Sequence, residues 1–178
     1  AAGQVGDRQV RHRGTIGGSL AHADPASDLP AVVLALDATL VARGPSGERT
    51  IPAAEFFRSI FESALAPDEV LTEVRLPRQA GRRFAFAKFN RRAQDWAIVG
   101  VAAQQVDGGA NVALVHMGST PLRAAETEEA LRQGASVADA AALADRGTDP
   151  HGDLNASAEY RRHLARVLVR RSLEQIRA

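Results

Sequence analysis

The chain has no cysteine among its 178 residues. It can form no disulfide and cannot hold an iron–sulfur cluster through thiolates, so any cluster that serves it sits on another polypeptide. Lysine is almost as scarce: Lys88 is the only one, set in a background of arginine. Aromatic residues make up 4% of the chain. None interleaves with Arg161, Arg162, Arg166, Arg170, Arg171 and Arg177, and a net charge of +1 is too balanced for a nucleic-acid binder. The arginines of that segment read either as a solvated helix face or as a docking surface for an acidic partner. No apolar run approaches the roughly 20 residues that span a bilayer. His12, His22, His116, His151 and His163 include no pair at zinc-ligand spacing, so no metal site is expected. The histidines also lie apart from the serines, no Gly-x-Ser-x-Gly elbow occurs, and Glu126, Glu128 and Glu129 read as a helix surface. Hydrolase chemistry has no support.

What is present is a soluble globular composition, 45% hydrophobic and 24% charged, long enough for one good core or two small ones. Its most informative stretch is Thr15-Ile16-Gly17-Gly18-Ser19. Adjacent glycines bare the backbone, so their N–H groups can approach an anion, and the hydroxyls of Thr15 and Ser19 add donors. The Gly-Lys-Ser/Thr ending of a nucleotide-hydrolysing P-loop is absent. A helix is predicted to begin near Asp28, with Pro30 in its first turn. Asp28 reads as its N-cap, with Ser27 as the alternative, and Asp24 as the cap of an Asp-Pro turn.

Leu29 to Asp37 is almost wholly apolar and predicts a short buried helix. Strands follow at Thr39 to Arg43 and Arg49 to Ile51 around the Gly44-Pro45-Ser46-Gly47 turn, then a short helix from Pro52 to Phe57 and a strand from Val70 to Leu76. The polar run 78–83 marks a domain boundary. Beyond it, Phe84 to Asn90 reads as extended, with Phe84, Phe86 and Phe89 available for packing. Val99 to Val106 and Asn111 to Met117 form a hairpin across Asp107-Gly108-Gly109, making three antiparallel strands. Helices are predicted at Ala124 to Gln133, from Ser136 to about Arg146, and from Ser157 to Ile176. The last carries an apolar stripe of Tyr160, Leu164, Val167, Leu168 and Ile176. The fold class is α+β, divided at 1–77 and 78–178.

The run from Thr15 to Pro30 resembles the second flavin-binding motif in the FAD subunit of molybdenum hydroxylases, the xanthine dehydrogenase and aerobic carbon monoxide dehydrogenase family. The resemblance continues through Glu69-Val70-Leu71-Thr72-Glu73-Val74-Arg75-Leu76-Pro77, Phe86-Ala87-Lys88-Phe89-Asn90-Arg91-Arg92, Asp95-Trp96-Ala97-Ile98-Val99 and Ala158-Glu159-Tyr160-Arg161-Arg162-His163-Leu164. It is strongest towards the carbon monoxide dehydrogenase medium subunit. It implies the back half of an FAD-binding domain followed by a small antiparallel sheet with a helical bundle.

The resemblance implies FAD as cofactor and Thr15, Ile16, Gly17, Gly18 and Ser19 at its phosphates. The residue matching Asp28 contacts FAD in the family, Lys88 stands where a lysine lies near the flavin, and Leu71 where a side chain packs against the cofactor. His22 reads either as a donor to the cofactor or as a surface imidazole. No catalytic residue is assigned. Molybdopterin and [2Fe-2S] clusters are expected on a large and a small partner subunit, in a dimer of heterotrimers, in the cytoplasm and associated through partners with the inner face of the membrane. The chain would carry electrons from those clusters to an external acceptor. Only fourteen residues precede Thr15, and none resembles the family's earlier Ala-Gly-Gly-type loop. The expectation is a chain lacking its N-terminal portion, inactive alone, that binds FAD weakly or acts as a docking module.

Overall fold

The computed structural model describes residues 1–178. Two short helices open it, α1 (Arg8–Arg13) and α2 (Ile16–His22). Asp7 caps α1 by accepting from Val10 N at 2.8 Å, and Thr15 caps α2 by accepting from Gly18 N at 3.0 Å. Helix α3 (Asp28–Ala35) follows. Ser27, not Asp28, holds its N-cap position, and Asp28 is the first helical residue. The Ser27 hydroxyl is taken by Ser19 Oγ at 2.8 Å, so neither side chain caps the helix in the usual way.

The first sheet has the order β2-β1-β5, from β1 (Thr39–Gly44), β2 (Gly47–Pro52) and β5 (Val70–Arg75). Between β2 and β5 lie α4 (Ala53–Phe56) and a small hairpin of β3 (Phe57–Ser59) and β4 (Glu62–Ser63). Leu20, Val33, Leu40, Ile51 and Phe56 form the core of this half.

The second sheet has the order β6-β7-β8-β9, from β6 (Phe84–Phe89), β7 (Val99–Val106), β8 (Gly109–Val115) and β9 (Leu122–Arg123). The two-residue β9 is a fourth strand too short to carry an alternating pattern. Both faces of this sheet are buried. Val99, Val101, Val112 and Leu114 face the helices α5 (Ala125–Arg132), α6 (Val137–Ala141) and α7 (Ala158–Arg177). Ala102, Ala113 and Val115 face Ala31, Leu34 and Ala35 of α3, so a helix of the first half closes the second sheet.

Three packing expectations change. In β6 the alanines go to the helical core, and Phe84 alternates to the opposite face, where it is 72% exposed. Helix α6 stops at Ala141, and turns lead on from it to Gly147. The apolar face of α7 is Leu164, Ala165, Leu168, Val169, Leu173 and Ile176, which leaves Tyr160 43% exposed and buries Arg161 in its place.

Glu128 is also not on the helix surface. It is buried on α5 and accepts from Val112 N at 2.7 Å, while Arg123 clasps it with Nε at 2.7 Å and Nη2 at 2.9 Å. Arg123 Nη1 reaches on to Leu34 O and Asp37 Oδ1, tying β9 and α5 to the end of α3. Replacing Glu128 orphans a buried amide and removes two of the four hydrogen bonds of a half-buried guanidinium at once. Glu128→Ala is expected to lose about 2–4 kcal/mol of stability in urea unfolding, with exposed Glu126→Ala near neutral.

Candidate functional site

Thr15 sits in extended conformation (φ −124°, ψ 156°) and turns its hydroxyl onto the third residue of the helix it starts. The glycine run is therefore the first turn of α2 and not an irregular loop. Ser19 N closes on Thr15 O at 3.0 Å, which leaves the N–H groups of Ile16 and Gly17 without an intrahelical acceptor. Neither glycine is there for backbone conformation, since neither has positive φ. A Cβ on Gly18 would come within 3.0 Å of Thr15 Oγ1 and crowd the cap; one on Gly17 would approach Leu71 O at 3.9 Å.

This turn opens on a cavity of about 1050 Å³, at the upper end of the roughly 300–1,000 Å³ typical of ligand sites. Thr15, Ile16, Gly18, Ser19, His22, Asp28 and Lys88 all line it. Gly17 and Leu71 do not: Gly17 faces the first sheet, and the Leu71 side chain is half-buried against that sheet's core. His22 is exposed at the C-terminal end of α2 and packs on Phe61, ring centres 5.0 Å apart.

Asp28 and Lys88, sixty residues apart, meet at 2.8 Å with 3% and 4% of their side chains exposed. Lys88 Nζ also donates to Gln4 O at 3.2 Å. The other carboxylate oxygen, Asp28 Oδ1, is buried with no hydrogen-bond partner. Burial pushes the Asp28 carboxyl above the 3.8 of a free aspartate, against the downward pull of Lys88. Lys88 is therefore not a free cation: its ammonium is already ion-paired with Asp28.

Sequence reasoning assigned no role to several other lining residues. Arg11 and Arg13 bring positive charge directly before the glycine turn, while Val10, Leu29 and Trp96 bring apolar surface. The Arg11 and Arg13 signal is in the sequence, as basic residues within six positions of Gly-Gly. The Trp96 signal is not, because Trp96 reaches the site through a loop from the second sheet.

A second, polar cavity of about 160 Å³ adjoins the first and shares Asp24, Asp95 and Trp96 with it. Its inner wall is Arg161 and His116. His116 has φ +62°, a strained backbone for a residue with a Cβ. Its backbone N–H donates to Pro25 O at 2.9 Å, and its ring Nδ1 lies 2.8 Å from Ala97 O and 3.1 Å from Arg161 Nη1, so the tautomer decides whether it donates to the carbonyl or accepts from the guanidinium. Burial holds the His116 pKa below the usual 6.5 and keeps the ring neutral beside the guanidinium.

The residues fit a dinucleotide cofactor with a pyrophosphate. The free amide of Ile16 and two arginines stand at the anion end, apolar walls flank the middle, and an unpartnered buried carboxylate oxygen awaits a hydroxyl or amine donor.

Residues 1–79 match the family described as the FAD binding domain in molybdopterin dehydrogenase, and residues 84–176 the CO dehydrogenase flavoprotein C-terminal domain. The chain is 41% identical, over 97% of its length, to a subunit alpha of the 6-hydroxypseudooxynicotine dehydrogenase complex from Paenarthrobacter nicotinovorans, covering 62% of that protein. To the carbon monoxide dehydrogenase medium chain of Hydrogenophaga pseudoflava it is 36% identical over 97% of the chain and 64% of that protein. Its fold superposes on a chain of the carbon monoxide dehydrogenase of that organism with a TM-score of 0.91 at 38% identity, covering 97% and 64% of the two chains. On quinoline 2-oxidoreductase of Pseudomonas putida 86 the TM-score is 0.87 at 30% identity, with the same coverage. The chain thus spans a little under two thirds of the length of these relatives.

Proposed function

The chain belongs to the FAD-binding medium subunits of molybdenum hydroxylases, and from that premise we propose that it holds FAD and passes electrons from the iron–sulfur clusters of a partner subunit to an external acceptor. The observation that carries this reading is the large cavity in which the amides of the α2 first turn and the Asp28–Lys88 pair face one space. Bound there, FAD supplies a carrier that accepts two electrons and releases them singly or together.

The residues of this chain then have separable tasks. The N–H group of Ile16, with the Thr15 and Ser19 hydroxyls, binds the pyrophosphate at the positive end of α2, while Gly17 lets that turn pack closely on the first sheet. Asp28 Oδ1 accepts from a cofactor hydroxyl or amine. Lys88 holds positive charge against the ring system, moderated by Asp28, and so raises the reduction potential. Leu71 contributes through its backbone beside Gly17. Molybdopterin and [2Fe-2S] clusters belong to a large and a small partner, in a dimer of heterotrimers. Relatives whose names specify a pyridine-derived substrate and carbon monoxide match this chain over nearly the same length. That supports placing substrate choice on the partner and keeping the carbon monoxide dehydrogenase-like assignment to the electron-transfer chemistry.

The test is an FAD titration followed by visible absorbance and flavin fluorescence. Saturable binding is expected, with Gly18→Val raising Kd by at least about tenfold, since each charge-assisted hydrogen bond to phosphate is worth about 1.5–3 kcal/mol. No binding by a folded chain would sink the cofactor role and leave a docking module.

A further inference from the structure

Strand β6 is the outer strand of its sheet, paired only with β7. Gln105 N donates to Arg83 O at 2.8 Å, which fixes the alternation of the ladder. Residues 83, 85 and 87 point their backbone groups at β7, and Phe84, Phe86 and Lys88 point theirs outward. No hydrogen bond within the chain reaches those outward N–H and C=O groups.

Open edges are ordinarily defended by charge, proline or shortness. The other edges here are: β2 carries Glu48, Arg49 and Pro52, β5 carries Glu73 and Arg75, and β9 has two residues. The sequence of β6 is Phe-Ala-Phe-Ala-Lys-Phe, and its one charge is turned inward onto Asp28. Exposed rings stand at both ends, Phe84 at 72% and Phe89 at 37%, with Tyr160 edge-on to Phe89.

Charge decides what can pair there. Exposed Arg82 and Arg83 precede the strand, and exposed Arg91 and Arg92 follow it. Arg82 is met by Asp107, and half-buried Asp95 lies beyond Arg92, but Arg83 and Arg92 have no acidic partner. A second copy pairing antiparallel would set arginines against arginines at both ends.

We propose that the β6 edge is a docking site for an extended segment of a partner polypeptide, apolar in its centre and acidic at both ends, which adds a fifth strand to the sheet. Its backbone meets Phe84, Phe86 and Lys88, its carboxylates meet Arg83 and Arg92, and its side chains cover the exposed rings.

The probe is a fluorescein-labelled peptide, Asp-Glu-Val-Thr-Val-Thr-Val-Glu-Asp, read by anisotropy against the full chain. Hydrogen exchange is measured in parallel. Binding is expected to slow exchange at the amides of Phe84, Phe86 and Lys88. N-methylation of alternate peptide amides is expected to weaken binding at least about tenfold in one phase of the alternation and little in the other. Lysine-flanked peptide, or the exposed double variant Arg83→Glu/Arg92→Glu, is expected to bind at least about tenfold more weakly. The proposal is overturned by absence of binding, by binding without protection at those three amides, or by indifference to N-methylation. It is equally overturned if sedimentation shows a homodimer that protects the same amides.

Discussion

Lys88→Ala is expected to lower stability by about 3–5 kcal/mol near neutral pH, the largest single effect in the molecule, because it leaves a buried carboxylate with no counter-charge. Asp28 has 3% of its side chain exposed and already one oxygen without a partner, and the ammonium is its one side-chain partner. The loss depends on pH in a definite direction. Asp28 is held above 3.8 by burial even with Lys88 present. The folded chain therefore binds that proton more tightly than the unfolded chain, and the group's stabilising contribution is full below 3.8 and lost as pH rises through the folded value. Removing Lys88 takes away the only side-chain contact that pulls the pKa down and drives it further up. Urea unfolding at about pH 4 and about pH 7.5 should thus show the variant's deficit growing with pH. A charge-free pair, Asp28→Asn with Lys88→Met, should recover most of the deficit, since the cost lies in the uncompensated charge. A deficit independent of pH would contradict the assignment.

Arg161→Ala is the second. This side chain is 1% exposed and donates through Nη1 to Ile98 O and through Nη2 to Asp153 at 2.7 Å. Burial alone would raise the Asp153 carboxyl, but the amides of Ala156 and Asn155 and the guanidinium hold it below the usual range. Truncation orphans Ile98 O, loosens the 153–156 turn and leaves a void under the strained His116 backbone. The expected loss is about 3–4 kcal/mol, or a fall in Tm of roughly 6–16 °C. Arg161→Lys should not rescue, because one ammonium cannot donate towards β7 and towards the turn at once. Calorimetry of the two variants checks this; full rescue by lysine would make the loss one of packing alone.

Much of the local structure was legible because local signals agree with it. The Gly44–Gly47 turn, the Asp107–Gly109 hairpin and the Ser136 and Ser157 caps are each written within a few residues. Failures fall where a contact spans the chain. Nothing near residue 88 says that its partner is residue 28. The α7 stripe was misread by including Tyr160, since helical spacing cannot tell that a loop from residue 153 supplies a carboxylate for the next position. Phe84 was read as available for packing, but it lies at one end of β6 on the face away from the helical core and stays exposed. Of the site, the glycine turn, Asp28 and Lys88 were legible through family resemblance, and Trp96 and α1 were not, as lining residues brought in by tertiary placement.

The seating of α3 on the second sheet also orders events in time. The sheet β6–β9 and its helices own a core drawn entirely from residues 85–176 and can condense by themselves. The cluster beneath α3 mixes residues 31–35 with 97–115, so it cannot form before that sheet exists. Lys88 and Asp28 meet across the same junction, with the loop-closure entropy of a sixty-residue separation to overcome. The floor of the large cavity consequently exists only where both sheets are in place, and a ligand lodged there bears on the junction between them.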